Sequence, residues 1–219
     1  IMKKVLLIIL VSLFSFSQAN SAEFSVGLAY NESVYAATGT EDEYDESGVL
    51  RSNAREHGAF REGIPSIFLE AGNDQGAIGI ELSDSFKTPK AINEFNTAGT
   101  NNTTEVEAEF EGYITLYARV NIPLGGLYAK VGYSMVDINT IETTKSGNSY
   151  PNTDTTGYTA GIGWNQDMGN GFSIRAEVSG HQFDNVSVDN GAGASGNLNV
   201  ISITGMSGAT GKVALVKTF

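Results

Sequence analysis

Residues 105–122 read EVEAEFEGYITLYARVNI, and the character of the side chains alternates along all eighteen of them. The even positions, from Val106 to Ile122, are apolar or glycine, whereas the odd positions carry glutamate, tyrosine, threonine, arginine or asparagine. Successive side chains of a β-strand point to opposite faces, so this alternation predicts a strand. Strands of soluble domains usually have about 3–10 residues. The segment is therefore predicted to be an unusually long strand with one apolar and one polar face.

A strand with one apolar and one polar face is expected in a barrel whose outer surface contacts lipid and whose interior is polar. A strand of a transmembrane barrel needs about 9–11 residues to cross, with apolar side chains toward lipid and polar side chains toward the lumen. We predict that residues 111–122 form the crossing part. The glutamates that precede them are predicted to continue the same strand beyond the membrane.

The amino-terminal residues IMKKVLLIILVSLFSFSQANSA combine two lysines, a twelve-residue apolar run (5–16) and a small, polar end. This layout is typical of a secretory signal peptide. The apolar run is shorter than the roughly 20 residues of a spanning helix. We predict that residues 1–22 are a cleaved leader, with cleavage after Ala19 or Ala22, and that residues 23–219 form a single barrel domain.

The composition excludes several classes of function. A formal net charge of −12 argues against nucleic acid as a partner, because nucleic acid attracts basic surfaces. The absence of cysteine excludes disulfides, Cys-ligated zinc and a thiol nucleophile. No later segment approaches twenty apolar residues, so a membrane-inserted chain is predicted to be a barrel.

Eight alternating segments can be placed along the chain, and the connections between them are alternately long and short. The segments are residues 24–35, 64–71, 78–83, 105–122, 127–135, 157–165, 172–179 and 198–219. The short turns are residues 72–76, 123–126 and 167–171, and the polar connections lie near 38–62, 86–104, 142–155 and 184–197. We predict an all-β, antiparallel, up-and-down transmembrane barrel of eight strands.

The last segment is too long for one clean alternation, because its apolar phase changes between Leu198/Val200 and Val213/Leu215. A β-bulge within residues 204–211 would absorb the change. The alternative is two additional short strands in the 184–219 region, which would make ten.

The polar faces carry charges of both signs. These are Glu70, Glu81, Glu111, Arg119, Lys130, Arg175 and Glu177. The interior of an eight-stranded barrel is only just wide enough for side chains to fill. We favour a closed interior in which these charges pair, because an unpaired buried charge is costly. A selective pore lined by the same residues is the alternative.

Two weaker candidates are an acidic run and the two histidines. The carboxylates of residues 41–46 could hold a divalent cation, but the run lacks the spacing of a known calcium loop and is interpreted as a solvated segment. Spacing places no serine beside His57 or His181, so no catalytic Ser/His pair is predicted. No cofactor, metal or enzymatic activity is expected.

The leader, the rhythm of hairpins and the closing stretch KVALVKTF with terminal Phe219 together resemble the small eight-stranded outer-membrane barrels, which include OmpX, the OmpA amino-terminal domain and the opacity-type proteins. The resemblance covers the predicted mature chain, and Lys217 departs from the family's usual apolar ending. It implies location in the bacterial outer membrane and contact with its lipid and lipopolysaccharide. It also implies that periplasmic chaperones and the barrel-assembly machinery act on the chain, the latter through Phe219, and that the protein is a monomer.

Two functional interpretations follow. The first is a non-enzymatic barrel with a filled interior, whose polar surface loops have structural or surface-interaction roles toward an unknown ligand. The second is a passive, porin-like channel for small solutes or hydrophobic compounds. Members of the family that the sequence resembles share no active site, so no catalytic residue is assigned.

Overall fold

The computed structural model describes residues 22–88, 91–97, 100–143, 150–191 and 198–219, which form eleven β-strands. The strands are β1 (Glu23–Tyr44), β2 (Leu50–Asn73), β3 (Gly76–Ser83), β4 (Phe86–Lys87), β5 (Ala91–Thr97), β6 (Thr100–Asn121), β7 (Leu127–Thr143), β8 (Thr153–Gly169), β9 (Phe172–Phe183), β10 (Val186–Asp189) and β11 (Leu198–Thr218). The predicted leader lies outside this range except for its last residue, Ala22. A helix long and apolar enough to cross a membrane is not found in the described part of the chain.

The strands form one closed antiparallel ring. The order of hydrogen-bonded neighbours is β1-β2-β3-β6-β7-β8-β9-β11, and β11 pairs back with β1 from Ser25↔Thr218 to Tyr44↔Leu198. The short strands β4 and β5 pair with β6 beyond the end of β3, and β10 pairs with β11 beyond the end of β9. The three short strands therefore extend the positions of β3 and β9 in the ring and add no new position. The predicted eight-stranded barrel is confirmed.

The outer surface is apolar around the whole ring. Each of the eight positions exposes at least one large apolar side chain, among them Leu28, Ile67, Ile78, Val120, Val131, Ile162, Val178 and Val213. A continuous belt of exposed apolar side chains is unusual for a water-facing surface and marks contact with lipid. The predicted lipid face is therefore the outer face of this belt.

The predicted polar connection at residues 38–62 is largely regular strand instead. β1 and β2 remain paired up to a turn at residues 45–49 and form a long hairpin above the apolar belt. Strands likewise occupy much of 86–104 and the described ends of 142–155. Apolar alternation fades where solvent reaches the strands, but backbone groups still need partners. Backbone pairing therefore continues where the sequence signal ends.

An aspartate organises the tip of this hairpin. Asp45 Oδ1 accepts hydrogen bonds from the backbone N–H groups of Ser47 (2.9 Å) and Val49 (3.0 Å), and Gly48 adopts a φ of 75°. The Ser47 hydroxyl and these N–H groups lower the pKa of Asp45 to about 2. One member of the acidic run at residues 41–46, Asp45, therefore stabilises the turn.

Register shifts occur beside two turns, at 43/44 and 167/169, and two β-bulges inside the described wall change the phase of the side chains. In β11 the partners of Ala36 and Thr38 are Ser207 and Thr204, which leaves one extra residue at Gly205 (φ 63°) and confirms the predicted bulge. The second bulge was not predicted. It lies in β6 at Gly112 (φ 59°), between the pairs Glu111↔Asp137 and Ile114↔Met135.

The bulge at Gly112 reverses the faces of β6 above it. Tyr113 and Tyr117 point into the barrel as predicted, but Phe110, which shares its even number with outward Ile114, is buried inside. Glu111 is exposed on the outside. The prediction that one alternation runs unbroken through residues 105–122, with Glu111 in the interior, is wrong because an added residue shifts the pleat by one position.

Candidate functional site in the barrel interior

The interior is filled in layers, and the layer nearest the short turns is built on one carboxylate. Glu70 Oε1 accepts hydrogen bonds from Arg175 Nη1 (2.7 Å), Tyr117 Oη (2.9 Å) and Arg119 Nε (3.2 Å). Arg175 Nε also donates to Asn165 Oδ1 at 3.0 Å. Four strands, β2, β6, β8 and β9, thereby meet at the axis of the barrel. We call Glu70, Arg119 and Arg175 the lower charge layer.

The next layer is a ring of alternating charges. Lys130 Nζ lies 2.5 Å from Glu177 Oε1 and 3.7 Å from Glu81 Oε2, and Lys212 Nζ lies 2.5 Å from Glu81 Oε2 and 3.7 Å from Glu177 Oε1. Each ammonium therefore faces both carboxylates, and each carboxylate faces both ammoniums. All four residues are at most 8% exposed. We call these four residues the charge quartet.

Additional hydrogen bonds satisfy the carboxylates of the quartet. The Ser66 hydroxyl donates to Glu81 Oε1 at 2.7 Å, and the Tyr128 hydroxyl donates to Glu177 Oε2 at 3.0 Å. Lys130 Nζ also stands 4.8 Å from the centre of the Tyr117 ring. Desolvated ion pairs of this kind are tolerated only when their remaining donors and acceptors are also paired.

Glycines make room for the large side chains of these layers. A Cβ atom at Gly163 would lie 2.3 Å from the Tyr128 ring, and one at Gly27 would lie 2.0 Å from the Phe68 ring. Phe68 in turn packs under the guanidinium of Arg175, 5.4 Å from its ring centre. A barrel this narrow can hold both aromatic rings and paired charges only where the facing wall lacks side chains.

Six of the seven residues predicted for the interior lie there. They are Glu70, Glu81, Arg119, Lys130, Arg175 and Glu177. Glu111 is the exception, for the reason given above. Sequence reasoning missed Lys212, although the signal was present: Lys212 precedes Val213 and Leu215, whose outward direction was predicted, and by alternation it had to point inward.

A small polar cavity lies above the quartet. Its volume is about 30 Å³, and Asn31, Thr159, His181, Thr210 and Lys212 are among its lining residues. Such a space accommodates about two water molecules. His181 Nε2 lies 2.9 Å from Thr210 Oγ1 and 3.3 Å from Ser179 Oγ. The expectation that no serine stands beside His181 is therefore wrong, since the adjacent positions 179 and 181 both point inward.

An apolar layer closes the interior above this cavity. Its buried members are Tyr35, Ile64, Phe110, Tyr113, Val136, Ile138, Phe183, Val186 and Met206. The ring of Phe86 stacks between Tyr35 (centroids 5.5 Å apart) and Phe110 (4.8 Å). The layer lies where the outer face becomes polar, so this end of the barrel has an apolar interior and a wet exterior.

The remaining candidates do not assemble into a binding centre. Among the described residues, no group of three or more His, Cys, Asp or Glu side chains could hold a metal ion. His57 Nδ1 lies 2.8 Å from Thr38 Oγ1 on the outside of the long hairpin, far in sequence and on a different face from His181. The described polar side chains therefore form ion pairs and hydrogen bonds with one another.

An eight-stranded antiparallel ring with an apolar outer belt and a filled, charged interior is the architecture of a transmembrane β-barrel. The sequence matches the family model of the outer membrane protein β-barrel domain over residues 5–210. The chain belongs to this family and resides in the bacterial outer membrane, so the resemblance and the location inferred from the sequence are confirmed.

Comparison with solved structures finds similar outer-membrane proteins at low sequence identity. The chain is similar to the outer membrane protein OprG of Pseudomonas aeruginosa, with a TM-score of 0.52, 10% identity, and coverage of 88% of this chain and 95% of that one. Neisserial surface protein A gives 0.42 at 10% identity, with coverage of 86% and 97%. The Escherichia coli outer membrane protease OmpT gives 0.44 at 10% identity, with coverage of 89% and 97%. No curated protein matches the sequence.

Proposed function

We propose that this protein is a non-enzymatic outer-membrane barrel whose lumen is closed and whose extended hairpin above the membrane makes contacts at the cell surface. The observation that carries the proposal is the succession of three filled layers along the axis: the lower charge layer, the charge quartet and the apolar layer. A solute would have to displace paired buried charges and stacked aromatic rings in turn. Displacing either charged layer would leave uncompensated charges in a narrow, low-dielectric space, and displacing the apolar layer would give up its packing contacts.

The arrangement around His181 supports the non-enzymatic part of the proposal. Its hydroxyl neighbours, Ser179 and Thr210, share with it a cavity of about 30 Å³ that is walled by the apolar layer above and the quartet below. The cavity is large enough for water molecules but not for an organic substrate. His181 Nδ1, the atom that an orienting carboxylate would hold in a hydrolase, has no hydrogen-bond partner in the described structure.

The hairpin of β1 and β2 supports the surface role. Beyond the last large apolar side chains of the belt, Val34 in β1 and Ile67 in β2, the strands continue to Tyr44 and Leu50 and present a largely polar, charged surface. Functional residues of barrel proteins concentrate in segments that a rigid wall carries outward. The unknown surface ligand expected from the sequence would bind in this region.

Conductance of the refolded protein in planar bilayers tests the proposal. We expect no steady conductance from the unaltered protein. A matched variant in which Tyr35, Phe86 and Phe110 are replaced by alanine should also stay closed, because the lower charge layer and the charge quartet remain in place. A large, stable conductance of the unaltered protein would overturn the proposal in favour of a passive channel for small or hydrophobic solutes.

A further inference from the structure

The upper part of β2 has a free backbone edge. β2 pairs with β1 from Leu50 to Gly72, but with β3 only from Ser66 to Asn73. The last backbone hydrogen bond on the β3 side runs from Asp84 N–H to Pro65 C=O at 2.9 Å. Beyond this point β4 and β5 pair with β6. Within the described ranges, no strand pairs with this side of residues 50–64.

The residues that present unpaired groups can be identified. In a strand, N–H and C=O groups of successive residues point to opposite sides, and the Pro65 carbonyl points away from β1. The odd-numbered residues above it therefore also point their N–H and C=O groups away from β1. These are Asn53, Arg55, His57, Ala59, Arg61 and Gly63. We call them the β2 edge.

The break in pairing has a local cause. Pro65 has no N–H group, so it can accept from Asp84 but cannot donate in return. After β3, the chain moves away from β2 at Asp84 and Ser85. It continues as β4, which pairs only with β6, at Phe86↔Phe110. The wall is thus split between β2 and β4 directly above the apolar belt. An unpaired edge of this length is a template for another strand.

Side chains along the edge strand are segregated by charge. Arg55 and Arg61 lie on the outward face, which carries no carboxylate between residues 53 and 65, whereas Glu56 and Glu62 lie on the opposite face. Arg61 pairs with Glu32 and Arg51 with Asp45. No described carboxylate pairs with Arg55. A strand added here would meet a basic outward face and an acidic inner one.

The inner side of the split is apolar at its base. The Phe60 ring lies 5.5 Å from the Tyr35 ring and 6.3 Å from the Phe86 ring, and it is only half-buried. An inward-pointing apolar side chain of an added strand would complete the burial of Phe60. Backbone hydrogen bonds would supply affinity, and the alternating side chains would supply specificity, as in strand addition generally.

A second copy of this chain is a poor occupant. Two copies in one membrane have the same orientation and are related by a two-fold axis along the membrane normal. Barrel strands tilt by about 35–45° from this axis, so the two β2 edges would cross at about 70–90° and could not pair along their length.

We propose that the β2 edge binds an extended segment of another protein by strand addition, and that this segment carries carboxylates opposite Arg55 and Arg61 and an apolar residue opposite Phe60. The inference rests on the proposed surface role and assigns it a site and a class of partner. The added strand prolongs the barrel wall across the split between β2 and β4.

The test uses the full barrel refolded in lipid nanodiscs and two fluorescent peptides of identical composition. TKEVTVTKEVT places glutamates opposite Arg55 and Arg61 and lysines opposite Glu56 and Glu62, and TEKVTVTEKVT exchanges these charges. We expect fluorescence anisotropy to show at least tenfold tighter binding of the first peptide. Equal affinity of the two peptides, or no binding of either, would overturn the proposal.

Variants separate backbone pairing from charge attraction. Ala59→Pro removes an edge N–H without removing a bond to β1, and we expect it to weaken binding of the first peptide at least tenfold, while Ala59→Thr, which keeps the N–H, changes it less than threefold. Heat-modifiable migration on gels verifies that both variants fold. Undiminished binding to a folded Ala59→Pro barrel would contradict strand addition. Arg55→Glu should shift the preference toward the exchanged peptide.

Three further outcomes are distinguishable. Sedimentation that detects a dimer abolished by Ala59→Pro would assign the edge to a second copy and overturn the proposal. A steady conductance in bilayers would overturn the closed-lumen function while leaving peptide binding at the edge intact. Failure of peptide binding by a non-conducting barrel would overturn only the inference about the edge.

Discussion

The Nη1 atom of Arg175 lies 2.7 Å from Oε1 of Glu70, across the barrel axis and 105 positions apart in the sequence. Glu70 is 2% exposed and pairs with a second arginine as well, because Arg119 Nε donates to both of its carboxylate oxygens. This carboxylate therefore holds together β2, β6 and β9. It makes the lower charge layer asymmetric, with two cations on one anion.

The first prediction follows from this asymmetry. Replacing Glu70 by glutamine leaves two arginines uncompensated and should cost about 3–5 kcal/mol of unfolding free energy, as for other broken buried pairs. Replacing Arg175 by methionine should cost less, because Arg119 still neutralises Glu70. Urea unfolding in lipid vesicles, followed by fluorescence of the single tryptophan, measures both. The reverse order of the two costs would show that Glu70 is not the shared anchor.

A row of carboxylates on the outer face provides the second prediction. Asp137 on β7 lies directly opposite both Glu111 on β6 and Asp154 on β8. Like charges in opposite positions destabilise adjacent strands, so Asp137→Asn should stabilise the barrel by about 0.2–1 kcal/mol. Asn139→Asp is the matched control, because Asn139 lies opposite Glu109 on the same face and should lose stability. A destabilised Asp137→Asn variant would mean that the carboxylate has a favourable partner.

The third prediction concerns the tip of the long hairpin. The pKa of Asp45 is lowered to about 2 from an ordinary value of 3.8, first by the Ser47 hydroxyl and then by the Val49 N–H. Because the folded pKa is the lower one, the turn's contribution is complete above pH 4 and is lost as the pH falls through 2. Ser47→Ala should raise the pKa of Asp45 toward 3.8. Carboxylate titration by NMR measures both values, and an unchanged pKa in the variant would exclude the hydroxyl as the main cause.

The final prediction concerns assembly, for which the resemblance assigns a role to Phe219. Phe219 is 75% exposed, and its N–H donates to Phe24 C=O at the seam where β11 meets β1. Phe219→Asp should sharply lower the amount of protein in the outer membrane while impairing refolding in detergent much less. Phe219→Tyr is the control and should be tolerated. Heat-modifiable bands from outer-membrane fractions provide the measurement, and normal accumulation of the Asp variant would refute the signal.

Alternation along single strands was sufficient to predict the barrel and most of its interior. Glu81, Lys130 and Glu177 could be assigned inward because their neighbours in sequence are apolar, and a strand sends successive side chains to opposite faces. The same rule applied to Val213 and Leu215 also places Lys212. Local sequence determines this much because the pleat is a property of each strand by itself.

Tertiary structure decided what depends on how the strands are offset around the ring. Which cation meets which carboxylate, as in Arg175 with Glu70, depends on register between strands that are distant in sequence. Glu111 lies outside because β6 has an extra residue at Gly112, where φ is positive, in its pairing with β7. Pro65 is visible in the sequence, but the free edge of β2 also requires that β4 and β5 pair with β6, which only the tertiary structure shows. In each case the outcome depends on which backbone positions of two strands pair. The order of side chains along one strand does not reveal that pairing.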